Sequence, residues 1–429
     1  MTIAAVTNAS GFVVQYAHDI MDRVTNKSWR TTTGASLGGF DYGYDALGRI
    51  VSRSHVLGDP SQPSPMSQSS QKTYAYDDFD RLASDGDVSC TYDAAGNRMT
   101  RTEDGETITY TLGVGDRLAS WSGGSYTHDA AGNVTRIERV GRPTLDLTWN
   151  SQYQLVSVSI NGVFAESYTY DALNRRVSTT TLEGTTRHVY DNNWQVIADI
   201  DANGNVVASY VWGEGIDKLR AVSVGGSTYY PLTDIQGTVW GYVDSQNNVV
   251  ARWQYDAWGN VLDEEVSVMT LARLRYRFQG REWSAATGLI NFRMRWYDAE
   301  TGRWLSKDPI GISGGLNLYA FCGNSPIVTV DPTGELWPQI ATAIGILYLY
   351  YKIVNHAYRT RKKMDSANIN DLKDVASKAL DCTADTISEV SSPFGPPLPD
   401  ATLPLTDKVS GELMHPMWDD VFNRVRPLK

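Results

Sequence analysis

Apolar and polar residues alternate in short runs through most of the first 275 positions. The clearest run, VSVSI-NG-VFAESYTY at 156–170, sets two alternating stretches on either side of Asn161-Gly162 and predicts a β-hairpin. Asp85-Gly86, Asp104-Gly105 and Asn203-Gly204 lie beside similar runs and predict further hairpins. Phe292-Arg293-Met294-Arg295-Trp296 alternates as a single strand would. After Leu336 the period changes. Ile340, Ile344, Leu347, Tyr351, Val354 and Tyr358 recur at helical spacing and run into Arg359, Arg361, Lys362 and Lys363, which predicts an amphipathic helix. A second helix is expected from Asn370 as N-cap, with Leu372, Val375, Ala379, Leu380, Thr383 and Ile387 on one side. Five prolines between Pro393 and Pro404 exclude regular structure there. The apolar stretch 337–351 is shorter than the roughly 20 residues a membrane span requires, so a buried or partner-bound helix is expected and no membrane span.

The alternating region is also self-similar. Tyr44-Asp45-Ala46-Leu47-Gly48-Arg49-Ile50 recurs as Tyr92-Asp93-Ala94-Ala95-Gly96-Asn97-Arg98, again from His128 and again from Tyr255, with looser copies beginning at Tyr76, Tyr110, Trp149, Tyr170 and Tyr190. The second residues of successive copies, 93, 111, 129, 150, 171 and 191, are 18, 18, 21, 21 and 20 positions apart. A unit of that length holds two short strands and two turns. In each turn Asp accepts backbone N–H bonds two residues on, and Gly supplies a positive φ; Asn174 stands in for Gly because Asn tolerates the left-handed region. The Tyr-Asp pairs are therefore structural, and Asp45, Asp93 and Asp171 are not catalytic candidates. Residues 58–72 are rich in Ser, Gln and Pro and predict an exposed loop, while residues 1–40 carry only a weak version of the pattern.

Composition agrees with a mainly β protein: 24 Tyr, 13 Trp and 37 Gly against 9 Phe. A net charge of -11 with pI near 5.1 argues against nucleic-acid binding by the array. Cys90, Cys322 and Cys382 have neither disulfide-framework nor zinc spacing. The six histidines form no metal motif, and His415 with Asp419 and Asp420 reads as solvated helix-end residues. No metal or cofactor is expected, and no P-loop or nucleophile elbow points to multi-turnover chemistry. The N-terminus lacks the basic and apolar regions of a Sec signal peptide.

One stretch concentrates the remaining chemistry. Between Tyr276 and Trp337, arginines 273, 275, 277, 281, 293, 295 and 303 lie in or beside a run of Tyr, Phe and Trp, and two Asp-Pro elements occur, Asp308-Pro309 and Asp331-Pro332. The arginines are expected to pair with carboxylates of the acidic array or to stack on its rings. Two carboxylates brought together in a partly buried site cannot both ionise. One then activates water while the other protonates or polarises a carbonyl, the division of labour that peptide hydrolysis needs. Asp-Pro is also a common turn opener, and a separation of 23 residues says nothing of distance in space.

The segments GREW, GLINFRMRWYDAETGRWLSKDPIG and LNLYAFCGNSPIVTVDPTGEL, with Pro326, Asp331, Pro332 and Gly334 in a P-x4-D-P-x-G pattern, closely resemble the core of the Rhs/YD-repeat polymorphic toxins. That resemblance implies a repeat-built, spiralling antiparallel β-sheet forming a partial or complete hollow shell over 1–275, a core over 276–336, and a small α-helical, variable C-terminal segment over 337–429. It implies that Asp308 and Asp331 converge as an aspartic-type pair, that Lys307 supports them, and that the chain cuts itself once, between Leu336 and Trp337. The C-terminal segment would be the encapsulated cargo. An immunity protein, a delivery apparatus and a shell-completing chain are the outside partners it suggests, with delivery to target cells by a dedicated secretion system after synthesis in the cytoplasm. Two other readings stay open: a non-enzymatic scaffold or cell-surface and glycan-binding protein, and a displaced cassette with an inactive tip.

Overall fold

The computed structural model of the chain describes residues 3–7, 12–58, 66–268, 271 and 274–335. The expectations for 337–429 and for the bond between Leu336 and Trp337 lie outside the described residues. By its contacts the chain divides into Met1–Leu336 and Trp337–Lys429.

Among the described residues, 25 strands from Ile3–Thr7 to Val261–Val266 follow one another as an antiparallel meander, each paired with its neighbour in sequence. Alternation places one face inward. In Leu145–Trp149, for example, Leu145 and Leu147 are buried while Thr148 is exposed. Strands remote in sequence share a core: Phe12, Trp29 and Phe40 cluster with Tyr230, Trp240 and Trp253. A second cluster gathers Tyr110, Leu118, Ile137, Val158 and Tyr168 around Leu289, Trp296 and Leu305. The segment from 274 to 335 thus fills the concave side of the curled sheet.

The turn after each repeat is built alike. Asp45 Oδ1 accepts the Leu47 and Arg49 backbone N–H groups, at 3.0 and 2.9 Å, and its Oδ2 receives Arg49 Nε at 2.6 Å. The same bonds recur at Asp77 and Asp171, and with Asn as the fifth residue at Asp93, Asp129 and Asp256. The fourth position is left-handed whatever occupies it: Gly48 has φ 84, Asn174 φ 64 and Tyr153 φ 62. The tyrosine before the Asp does more than pack. Tyr44, Tyr76, Tyr170 and Tyr190 donate their hydroxyls to the carbonyls of Val24, Ile50, Leu155 and Arg176, one repeat back. Arg23, Arg49 and Arg175 lie over Tyr44, Tyr76 and Tyr190 at 4.7, 4.8 and 5.2 Å, so each turn is fastened to the next.

Several expectations change in detail. The copy assigned to Tyr110 turns at Gly113, whose N–H bonds the Arg117 carbonyl, so Thr111 is a strand residue. Asn203-Gly204 is no two-residue hairpin: Asp201 builds the five-residue turn there, and further such turns occur at Asp19, Asp234 and Asp244. They were missed because Arg23, Thr238 and Asn248 follow without the full Tyr-Asp signature. The loop drawn over 58–72 is shorter, because Gln68–Tyr76 is a polar strand with alternating exposure, anchored by Gln68 to His55 and Gln254. Residues 292–296 are not one strand either. Ile290–Phe292 and Arg295–Asp298 are two strands of a separate four-stranded sheet, joined by a tight turn at Arg293, φ 67.

Candidate functional site

The arginines of the core find the partners that an acidic, aromatic array offers. Arg275 binds Asp199 at 2.9 Å, Arg281 and Arg293 both bind Asp217, and Arg277 lies between the Trp253 and Trp283 rings. Arg273 is outside the described residues.

Arg295 is different: its partners come from the core itself. It is 1% exposed and lies 4.1 Å from the Trp304 ring. One nitrogen, Nη2, is 2.9 Å from Asp308 Oδ2 and 3.1 Å from Asp331 Oδ2. The two Asp-Pro aspartates, 6% and 1% exposed, therefore meet at a single guanidinium. Burial pulls the Arg295 guanidinium below its usual range, against the pull of the two carboxylates. Glu335, half-buried beside them, has its carboxyl raised by burial and then by the Asp308 charge. Cys322 is likewise pushed well up, by burial and then by Asp331.

Local structure explains why these residues are aspartates followed by proline. Asp308 Oδ1 accepts the Ile310 N–H at 3.0 Å and its carbonyl accepts that of Gly311, which opens a turn and leaves Oδ2 for Arg295. Asp331 Oδ1 accepts the N–H groups of Gly334 and Glu335 at 2.9 and 3.1 Å, again leaving Oδ2. Pro309 and Pro332 occupy the second position of each turn, where a fixed φ helps.

The chain approaching Leu336 is gripped on consecutive carbonyls. Arg293 Nη1 donates to the Pro332 carbonyl, the Met294 N–H to that of Thr333 at 3.0 Å, and Arg295 Nε to that of Gly334. All three donors belong to the turn at Arg293, which is why that turn interrupts the expected strand. Gly334 has φ 73, and a Cβ there would come within 2.5 Å of the Phe292 carbonyl. Only glycine fits. Gln236 and Gln279 hold the Pro326 carbonyl, at 2.6 and 3.2 Å, and so fix the start of the P-x4-D-P-x-G segment.

Lys307 stands apart from this group. It is exposed, and its Cε lies beside Gly132 near the Tyr319 hydroxyl. In an extended segment adjacent side chains point to opposite sides, so burying Asp308 turns Lys307 outward. The cation beside both carboxylates is Arg295, which the alternation of 292–296 did not single out. Gly314 allows the approach to Asp308, since a Cβ there would lie 2.4 Å from Oδ2.

The profile of the Teneurin YD-shell family matches residues 66–327, more than half of the chain. The chain belongs to the Teneurin YD-shell family. Curated relatives of this YD shell include proteins named as a nuclease and as toxins. The chain is 32% identical over 206 residues to the tRNA3(Ser)-specific nuclease WapA of Bacillus spizizenii, covering 46% of this chain and 9% of that protein. It is 26% identical over 342 residues to the double-stranded DNA deaminase toxin A of Burkholderia cenocepacia, covering 71% and 21%. To the toxin protein Tse5 of Pseudomonas aeruginosa it is 36% identical over 110 residues, covering 25% and 8%. The chain spans only 8% to 21% of the length of these three relatives. In fold the YD shell matches a crystal structure of TcdB2-TccC3 with a TM-score of 0.64, at 19% identity over 77% of this chain and 19% of that one. A structure of the Photorhabdus luminescens Tc holotoxin pore gives 0.63, at 20% identity over 77% and 18%. The fold is thus that of an Rhs/YD toxin shell. Among the described residues no helix is long and apolar enough to cross a membrane.

Proposed function

We propose that this chain is a toxin-encapsulating YD shell whose core cuts its own backbone once, between Leu336 and Trp337, and frees the segment 337–429 as cargo. The observation that carries this reading is the meeting of Asp308 and Asp331 at Arg295, on the same turn that grips carbonyls 332 to 334. The proposed cut requires the peptide bond two residues beyond the clamped Gly334 carbonyl to come up to the two carboxylates and the guanidinium. Holding reacting groups in place supplies much of what a single-turnover cut requires. In the proposed step one aspartate takes a proton from water as its oxygen attacks the Leu336 carbonyl carbon. The other gives a proton to the Trp337 nitrogen as the C–N bond breaks. The products are a Leu336 carboxylate and a Trp337 amine. Arg295 orients both carboxylates and offsets charge that develops on the carbonyl oxygen. No cofactor takes part. The names of the relatives support a toxin as cargo; an immunity protein and a delivery apparatus that carries the shell to target cells belong to the same proposal.

A second reading is favoured by the same contacts. Each aspartate caps its own turn and shares an arginine, which is also how a purely structural clamp would be made. The chain would then be a passive scaffold. Intact-mass measurement of the purified chain separates the two. Cleavage predicts two masses with a boundary after Leu336, and one full-length mass for Asp331→Asn and Asp308→Asn. A wild-type chain that stays whole under native conditions overturns the proteolytic reading.

A further inference from the structure

Away from the core, a cavity of about 270 Å3 opens where the strand Val24–Thr31 meets the end of Ser227–Thr233. Three cations line it, Lys27 from the first strand and Lys218 and Arg220 from one segment at the start of Leu219–Val224, together with the carboxylates of Glu214, Asp217 and Asp234. Lys27 is only 6% exposed, and its ammonium donates to two uncharged oxygens, Thr233 Oγ1 at 2.9 Å and the Asp234 carbonyl at 3.1 Å. An ammonium has three donors, and among the described residues the third meets only the rings of Tyr16 and Trp29, 5.6 and 5.7 Å away. The nearby buried carboxylates are engaged elsewhere. Asp217 is bound by Arg281 and Arg293, and Asp234 by the N–H groups of Gln236, Thr238 and Trp240. Burying a cation without a counter-charge is costly unless something else compensates it. The cost is visible at Lys27, which burial brings down to about 7 with Lys218 and Arg220 adding to the effect and Asp234 opposing it.

We propose that this cavity binds a doubly charged tetrahedral oxyanion, either free phosphate or the phosphate of a small phosphomonoester, held by Lys27, Lys218 and Arg220. A carboxylate would answer one of the three cations; a phosphate presents several acceptors to donors arriving from different directions. The volume suits a phosphate with a short ester arm, since each water of the liquid takes about 30 Å3, and is too small for a folded partner. Nothing in the proposed cleavage depends on this site.

The test is calorimetric titration of the full chain with inorganic phosphate, glycerol phosphate and sulfate at constant ionic strength, with acetate as the single-charge control. Saturable binding of phosphate or its ester at one site per chain is expected, and acetate should bind at least about tenfold more weakly. If the ester binds more tightly than phosphate, the natural ligand carries the arm; the reverse identifies free phosphate. Lys27→Met should lower the affinity at least about tenfold, as loss of one charge-assisted bond does. The exposed pair Lys218→Ala and Arg220→Ala should do the same without endangering the fold. Sulfate keeps its charge between pH 6 and 8, so its affinity should rise as pH falls through about 7 in wild type, and this dependence should vanish in Lys27→Met. The titratable and charged groups around Lys27 in the cavity are Tyr16, Glu214, Asp217, Lys218, Arg220 and Asp234. Heats that never saturate, equal affinity for acetate, or variants that bind as wild type does would overturn the assignment.

Discussion

Replacing Arg295 by Met would keep most of the side-chain volume over Trp304 while deleting the charge that Asp308 and Asp331 share. At separations of 2.9 and 3.1 Å each contact is worth roughly 5 kcal/mol at an effective dielectric near 20. Desolvation of the buried charges offsets most of that gain, so the intact cluster contributes little net stability. Breaking it is another matter. The ionised carboxylate loses its compensation, its protonated neighbour loses a donor, and so does the carbonyl of Gly334, which together cost about 3–5 kcal/mol. Guanidinium titration at pH 7, followed by tryptophan fluorescence, reads this as an earlier midpoint for Arg295→Met. The same reasoning fixes the rescue. Combining Arg295→Met with Asp308→Asn and Asp331→Asn removes every charge of the cluster and should recover about half or more of the loss. Each single Asn variant should be less harmful than Arg295→Met. If Arg295→Met unfolds within about 1 kcal/mol of wild type, or the triple variant is weaker still, the shared-charge account is wrong.

Gly334→Ala should destabilise by about 2 kcal/mol or more, from a left-handed alanine and a Cβ driven into the Phe292 carbonyl; thermal unfolding measures it, and intact mass should show the chain uncut. Asp45→Ala removes three turn bonds and should cost about 1–2 kcal/mol, with Asp45→Asn intermediate. Tyr190→Phe deletes the 2.9 Å bond to the Arg176 carbonyl and should cost about 1 kcal/mol by denaturant midpoint. His188, buried beside Arg275, is held down to about 4 despite its 2.8 Å contact with Asp199. Because the folded value lies below the unfolded one, the unfolded chain takes the proton first. Stability is complete above about pH 6.5 and falls by up to ~3 kcal/mol as pH drops toward about 4. A His188→Gln variant should lose part of that acid sensitivity, and an unchanged slope would count against it.

What could be read in the chain divides along a physical line. A turn such as Asp45 to Arg49 is written within five consecutive residues, because donors and acceptors are local, and its geometry follows from residue type. Asn161-Gly162 is as direct: both residues take positive φ, 51 and 76. The bond from Tyr190 to Arg176 joins neighbouring repeats, and the pattern named the tyrosine but not the acceptor. Arg295 lies beyond that limit. Its partners are 13 and 36 residues away in sequence, and the turn that aims it depends on Arg293 reaching Asp217, 76 residues upstream. Periodicity sees Arg293 and Arg295 as alternate positions of one strand and has no means to register a reversal between them. The resemblance points to Lys307, next to Asp308, yet adjacency in an extended chain sends two side chains opposite ways.

The tyrosine hydroxyls have a consequence for how such a wall changes length. Each one latches onto the unit just before it and asks nothing of any other, so a whole unit can be added or lost with every remaining latch intact. A deletion of a few residues inside a unit would leave one ring without its carbonyl and one arginine without its ring. Size in these containers should therefore vary in steps of a unit, leaving the filled end, with its arginines fitted to particular carboxylates, as the part that cannot slide.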